Sequence, residues 1–135
     1  MRRADVPRTV AVGGMLVVVD LSLRTLGLRR TLAWVRRLAN GRPQDADPGV
    51  ARELVERSAR RVAKAAAFHP GRAECLEQSL VLWLFLRRRG IPAELRIGVQ
   101  TRPFMAHAWV EHESGPVNER TEYVEGLAAF PAIGG

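Results

Sequence analysis

The sequence predicts an α+β fold, and three observations carry that expectation. Over roughly the first two thirds of the chain the apolar residues recur at three- and four-residue steps, the spacing of a helix face. Beyond Gly90-Ile91-Pro92 the period drops to two, with Leu95, Ile97 and Val99 alternating with Glu94, Arg96 and Gln100, as in a strand with unlike faces. Helices in series followed by strands in series argue for helices packed on an antiparallel sheet, not for alternating parallel units. At 135 residues with 47% apolar side chains, the chain is expected to form one domain over 1–135, helical over 1–68 and mixed over 69–135.

From about Thr9 to Leu38 the apolar positions are Leu16, Val19, Leu23, Leu26, Trp34 and Leu38, with Gly27 a candidate break into two helices. Asn40-Gly41-Arg42-Pro43 is a stop signal, and Gln44 to Pro48 reads as a loop. A further helix is expected from Pro48 to Phe68, with Val50, Leu54, Val55, Val62 and Ala66 as its apolar face and His69-Pro70-Gly71 as its end. The best-marked helix begins near Cys75, carries Leu76, Leu80, Trp83, Leu84 and Leu86, and ends on Arg87-Arg88-Arg89-Gly90. Basic side chains complement its dipole there, and Gly90 supplies a left-handed cap. Strands follow around Leu95 to Val99 and Phe104 to Glu111, and Ser114-Gly115-Pro116 turns the chain into a third around Val117 to Thr121.

Charge narrows the partners. Twenty-one basic against 14 acidic residues give +7, and nearly all the cations are Arg, which grips carboxylates and phosphates best. An acidic or anionic partner is expected. Zinc-finger spacing, a glycine-rich phosphate loop and a basic stripe interleaved with aromatics are all missing, so nucleic acid is not. With one cysteine the chain forms no internal disulfide, which suits the cytoplasm. Met1-Arg2-Arg3 ahead of the apolar Val10 to Val19 has the outline of a membrane anchor, but Gly13-Gly14, Asp20 and Arg24 interrupt it. The uninterrupted run falls far short of the ~20 residues that span a bilayer. A buried or interface helix, without stable membrane insertion, is the expectation.

Cys75 stands at the predicted start of its helix, where unpaired N–H groups and the positive end of the dipole favour a thiolate. The same N–H groups are placed to receive the oxyanion of a tetrahedral intermediate. A lone cysteine is more often a small core side chain, so its position alone decides nothing. His107, in Met105-Ala106-His107-Ala108-Trp109-Val110-Glu111, shares a strand face with Trp109 and Glu111. A strand packed on the start of the Cys75 helix would deliver it as a base. His69 and His112 adjoin turns and are weaker candidates. A third group to orient the imidazole is offered by Asn118 and Glu119, both with chemical precedent. A three-residue loop Glu113-Ser114-Gly115 would set His112 opposite Pro116 and put Glu119 on the face of His107. A four-residue loop starting at His112 would favour Asn118 instead.

Three motifs in order resemble a family. The run Cys75-Leu76-Glu77-Gln78-Ser79-Leu80, then Leu86-Arg87-Arg88-Arg89-Gly90-Ile91-Pro92-Ala93-Glu94-Leu95-Arg96-Ile97-Gly98-Val99, then Ala106-His107-Ala108-Trp109-Val110-Glu111 is similar to the leader peptidases of lasso-peptide biosynthesis. Within these the likeness is to the stand-alone protease half of the split B protein, of transglutaminase-like, papain-like fold. It covers about residues 70 to 123; the helical half resembles the family in length and character alone. The resemblance implies a bacterial, cytoplasmic cysteine peptidase that hydrolyses the leader–core amide of a precursor and needs no metal or organic cofactor. Cys75 and His107 carry over as nucleophile and base. The family's Asp falls on Glu119, one methylene longer, with Asn118 as substitute. The implied partners are the precursor leader, a separate leader-recognition protein and a macrolactam-forming cyclase. A non-catalytic transglutaminase-like module that binds a peptide through the arginines at 87–89 is the alternative.

Overall fold

The computed structural model describes residues 5–41, 44–67, 75–101, 104–113, 115–118 and 127–129. Four helices, α1 (Asp5–Thr25), α2 (Leu28–Ala39), α3 (Pro48–Ala67) and α4 (Cys75–Arg88), precede a sheet of β1 (Glu94–Thr101), β2 (Phe104–His112), β3 (Gly115–Pro116) and β4 (Ala128–Ala129). The sheet order is β3-β2-β1-β4, all pairs antiparallel. The α+β expectation therefore holds.

Local chemistry sets the helix ends. Gly27, at φ 85°, breaks α1 from α2, because a left-handed residue cannot continue a helix. A relay closes that corner. Trp34 Nε1–H donates to Ser22 Oγ (2.9 Å), Ser22 Oγ lies 2.7 Å from Thr31 Oγ1, and Thr31 Oγ1 donates to Gly27 O (2.8 Å). At α3 the Asp47 carboxylate accepts the N–H of Val50 (3.2 Å) ahead of Pro48 in the first turn, an N-cap followed by the helix residue best suited to lack a donor. Gly90, at φ 77°, ends α4 as expected. Its N–H goes to Arg87 O and that of Ile91 to Leu86 O, the paired bonds of a Schellman cap.

α4 is the hub. Leu80, Val81, Leu82, Trp83 and Leu86 are fully buried, because α1, α2, α3 and both long strands all pack on this helix. α1 contributes Val12, Leu16 and Val19; α2 contributes Thr31, Val35 and Ala39; α3 contributes Ala51, Val55, Val62 and Ala65. Leu26, Leu38 and Val50, expected on apolar faces, are exposed instead. Leu26 sits past the end of α1 at the Gly27 corner, and α2 buries Thr31, Val35 and Ala39, three residues at steps of four, which turns Leu38 outward.

Arg87 is an unusual core member, 6% exposed. Desolvation lowers its pKa below the usual guanidinium value. It donates to Asn40 Oδ1 (2.8 Å), just past the end of α2, while its own carbonyl accepts from Gln44 Nε2 (3.3 Å). The cation thus lies where α2 and α4 both end, and their carbonyl termini supply negative partial charge in place of a carboxylate.

The strand register is Leu95 opposite Val110, Ile97 opposite Ala108 and Gly98 opposite His107. Leu95 and Val110 enter the core with α4, and Trp83 Nε1–H reaches back to Ala93 O (3.0 Å). On the other face the Trp109 ring lies over Gly98. A Cβ at that glycine would come within 2.8 Å of the ring and 3.0 Å of Leu127 Cβ. β4, which the sequence did not announce, pairs with β1 at Gly98 and Val99 and borders the same spot. Gly98→Val is therefore expected to lower stability by about 1–3 kcal/mol, read as a drop in the urea midpoint. An unchanged midpoint would show that Trp109 has room to move.

Candidate active site

Cys75 is the first residue of α4 and is half-buried, so the sequence placed it correctly at a helix start. One turn on, Ser79 is fully buried and its hydroxyl donates to Ala108 O on β2 (3.0 Å). Ser79 Oγ in turn accepts from Asn118 Nδ2 (3.0 Å), and Asn118 Oδ1 accepts the N–H of Val110 (2.8 Å). Val117 N–H donates to Val110 O (2.8 Å). Val110 thus directs both backbone groups away from β1, and by the two-residue repeat of a strand Ala108 points the same way. The side chains of Ser79 and Asn118 satisfy an edge of β2 that a third strand would otherwise pair.

This explains two departures from expectation. The third strand was expected over Val117 to Thr121; among the described residues β3 is Gly115–Pro116, Val117 and Asn118 are outside it because the Asn118 side chain takes the N–H that the ladder would need, and 119–121 lie outside the described residues. The hairpin also has a shorter loop. His112 faces Gly115 and Glu111 faces Pro116, leaving Glu113 and Ser114 between them, and Glu113, not Gly115, is left-handed at φ 54°. Odd residues of β2 therefore oppose even ones of β3, so the loop geometry no longer argues for Glu119. That residue and His69 lie outside the described residues. Asn118 is described, and both ends of its amide are engaged at the β2 edge. His112 lies at the far end of β2 from His107, beside the turn.

The helix and β2 run in the same direction, because Ser79 reaches Ala108 while Trp83 reaches Ala93, which follows the level of His112 in the register. One turn back from Ser79 is about 6 Å of rise, or two strand residues, which sets the start of α4 beside the 106–107 stretch. His107 shares its face with Trp109 and Glu111, the face opposite to the one α4 covers. The way from Cys75 to His107 therefore runs around the edge of β2. The imidazole stacks on Trp109, with ring centroids 6.3 Å apart and planes at 23°. Trp109 Nε1–H donates to Glu111 Oε1 (3.1 Å), which lies 4.0 Å from Arg96 Nε. Burial of Trp109 over Gly98 gives the histidine a rigid neighbour.

Sequence reasoning missed Ser79 and Arg96. The signal for Ser79 was its place four residues after Cys75, on the same face of the helix. A buried serine there must find an acceptor, and the strand edge supplies it.

The model of the transglutaminase-like superfamily matches residues 15–132 of this chain. The chain belongs to that superfamily. The match begins within α1 and takes in α2, α3 and α4, so it reaches the helical half that the motifs alone had left to general character. A relative among curated proteins is the Microcin J25-processing protein McjB of Escherichia coli, 36% identical over 62 residues. That alignment spans 46% of this chain and 30% of the relative. No solved structure matches. Among the described residues, no helix is long and apolar enough to cross a membrane.

If Asn118 holds the β2 edge, Asn118→Ala strands the Val110 N–H and removes a donor to Ser79. A loss of about 1–3 kcal/mol is expected, measured by urea denaturation. Faster amide exchange at Val110 should accompany it. A variant as stable as the parent would argue against the staple.

Proposed function

We propose that this protein is a cysteine peptidase that cuts the leader from a lasso-peptide precursor, with Cys75 as nucleophile, His107 as base and Glu119 as the carboxylate that orients the imidazole. The observation that carries the reading is the fixing of α4 to the β2 edge one turn after Cys75. That bond fixes the helix that begins at Cys75 to the strand that carries His107, which supports the pairing proposed. The relative's description as a processing protein for microcin J25 supports the substrate class. The ordered likeness of the Cys75, Gly90–Val99 and His107 motifs supports it further.

In the proposed reaction His107 takes the thiol proton as Cys75 Sγ attacks the scissile carbonyl. The oxyanion is received by N–H groups at the start of α4. His107 then gives the proton to the departing amine of the core, leaving the leader as a thioester on Cys75. Water, deprotonated by His107, adds to the thioester and restores the thiol. Each step moves one proton, and no redox change occurs. A separate protein recognises the leader, a macrolactam-forming cyclase consumes the core, and the setting is the bacterial cytoplasm.

The test is cleavage of precursor in the presence of the recognition protein. Cys75→Ala should lower the rate at least ~1000-fold, Glu119→Gln by roughly 10- to 1000-fold, and Glu119→Asp much less. Undiminished cleavage by Cys75→Ala overturns the mechanism. Precursor binding without cleavage by the parent protein would favour the non-catalytic module.

A further inference from the structure

We infer that the outer face of α2 is a docking surface for an acidic helix of a partner protein. The helix buries Thr31, Val35 and Ala39 and exposes four arginines, Arg29, Arg30, Arg36 and Arg37, with Ala33 among them. Arg29 and Arg36 are seven residues apart, as are Arg30 and Arg37, so the members of each pair stand two turns and about 10 Å apart on one side of the helix. Ala33 lies three or four residues from all four, in the middle of the array.

The charge of this face is not compensated within the protein. α2 contains no acidic residue, and none of its four arginines forms an ion pair or a side-chain hydrogen bond among the described residues. On the neighbouring helices the pattern differs, since Arg24 pairs with Asp20, Arg57 with Glu53 and Arg52 with Glu113. The arginines at 87–89 are not equivalent either. Arg87 is buried and holds Asn40, and Arg89 has a partner of its own.

The start of α2 is a second, separate sign. Arg29 and Arg30 fall in its first turn, no carboxylate does, and Gly27 gives no side-chain cap. The positive end of the helix dipole disfavours cations there, and nothing among the described residues offsets the cost. A local rule broken without an internal gain is the mark of surface kept for function. A carboxylate brought by a partner would complement the guanidinium groups and the dipole together.

The layout selects a protein helix. Carboxylates seven residues apart on a helix repeat at the spacing of the arginine pairs, a guanidinium takes a carboxylate through two parallel bonds, and Ala33 lets the partner's backbone come close. A helix that lies in a membrane surface turns its apolar face outward, whereas the apolar stripe of α2 is buried and its exposed leucines, Leu28 and Leu38, stand only at its ends. A helix that reads a DNA groove carries amide or hydroxyl side chains for the base edges, and the exposed face of α2 has none. Asn40, just past the end of α2, is held by Arg87, which lies twelve residues along α4 from Cys75, about 18 Å. The inference is independent of the peptidase reading.

The experiment uses the full chain, labelled with ¹⁵N, at low ionic strength, and four probes. The first is a 14-residue helical peptide with two pairs of Glu seven residues apart on one face. The second has the same composition with its Glu spread around the helix, the third is a short DNA duplex, and the fourth is vesicles of phosphatidylcholine and phosphatidylglycerol. The paired-Glu peptide should bind saturably and shift the amides of residues 29–37. Its affinity should fall at least about tenfold in the double variant Arg29→Gln, Arg30→Gln and in Arg36→Gln, Arg37→Gln. It should change less than about twofold in Arg52→Gln, Arg57→Gln, which takes the same charge from α3. All six side chains are exposed, so these variants are expected to fold. No saturable binding, equal binding of the spread-Glu peptide, an equal loss in the α3 variant, or binding of the duplex or vesicles in place of the peptide would each overturn the proposal.

Discussion

The edge of β2 is the constraint on which the rest of the site depends. A strand at the border of a sheet presents unpaired N–H and C=O groups, and these must be satisfied or left to water. Here the neighbouring strand leaves after two residues. Ser79 and Asn118 then take the carbonyl of Ala108 and the N–H of Val110. Because Ser79 belongs to α4, the bond that satisfies the sheet also fixes the helix. It does so one turn from Cys75.

The other half of the site is held from the opposite face. Trp109 is buried over Gly98, with its indole N–H on Glu111. His107 stacks on that ring. Only a residue without a side chain at position 98 lets the indole lie this close to β1, so the glycine serves the histidine through the tryptophan. Two independent packing arrangements, one on each face of the same strand, thus fix the helix that begins at Cys75 and the ring beside His107. Precision of this kind comes from rigid elements with locked rotamers. It also explains why α4 is so thoroughly buried, since a helix packed on three others and two strands has little freedom to drift.

Much of this was legible in the sequence. The period change after Gly90, the cap itself, the breaks at Gly27 and Asn40-Gly41, and the positions of Cys75 and His107 all follow from local rules that act over a few residues. What escaped was set by tertiary competition. The outward turn of Leu38 and Val50 depends on which stripe of each helix meets α4, and several stripes were apolar enough to serve. The ladder stops short of Val117 and Asn118 because a side-chain amide outbid a backbone carbonyl for one N–H. The hairpin loop shortened because Glu113 accepted a left-handed conformation that sequence preference assigned to Gly115. Neither choice leaves a periodic trace. Glu119 lies outside the described residues, and its assignment rests on the family pattern.

The central claim is that Cys75 forms the covalent intermediate. Acid quenching of the enzyme during turnover with precursor and recognition protein, followed by intact-mass analysis and peptide mapping, tests it directly. The account predicts an adduct with the mass of the leader acyl group, borne by Cys75 and discharged by hydroxylamine. Continued cleavage at an unchanged rate after Cys75 has been fully carbamidomethylated, with no adduct on the protein, would contradict it.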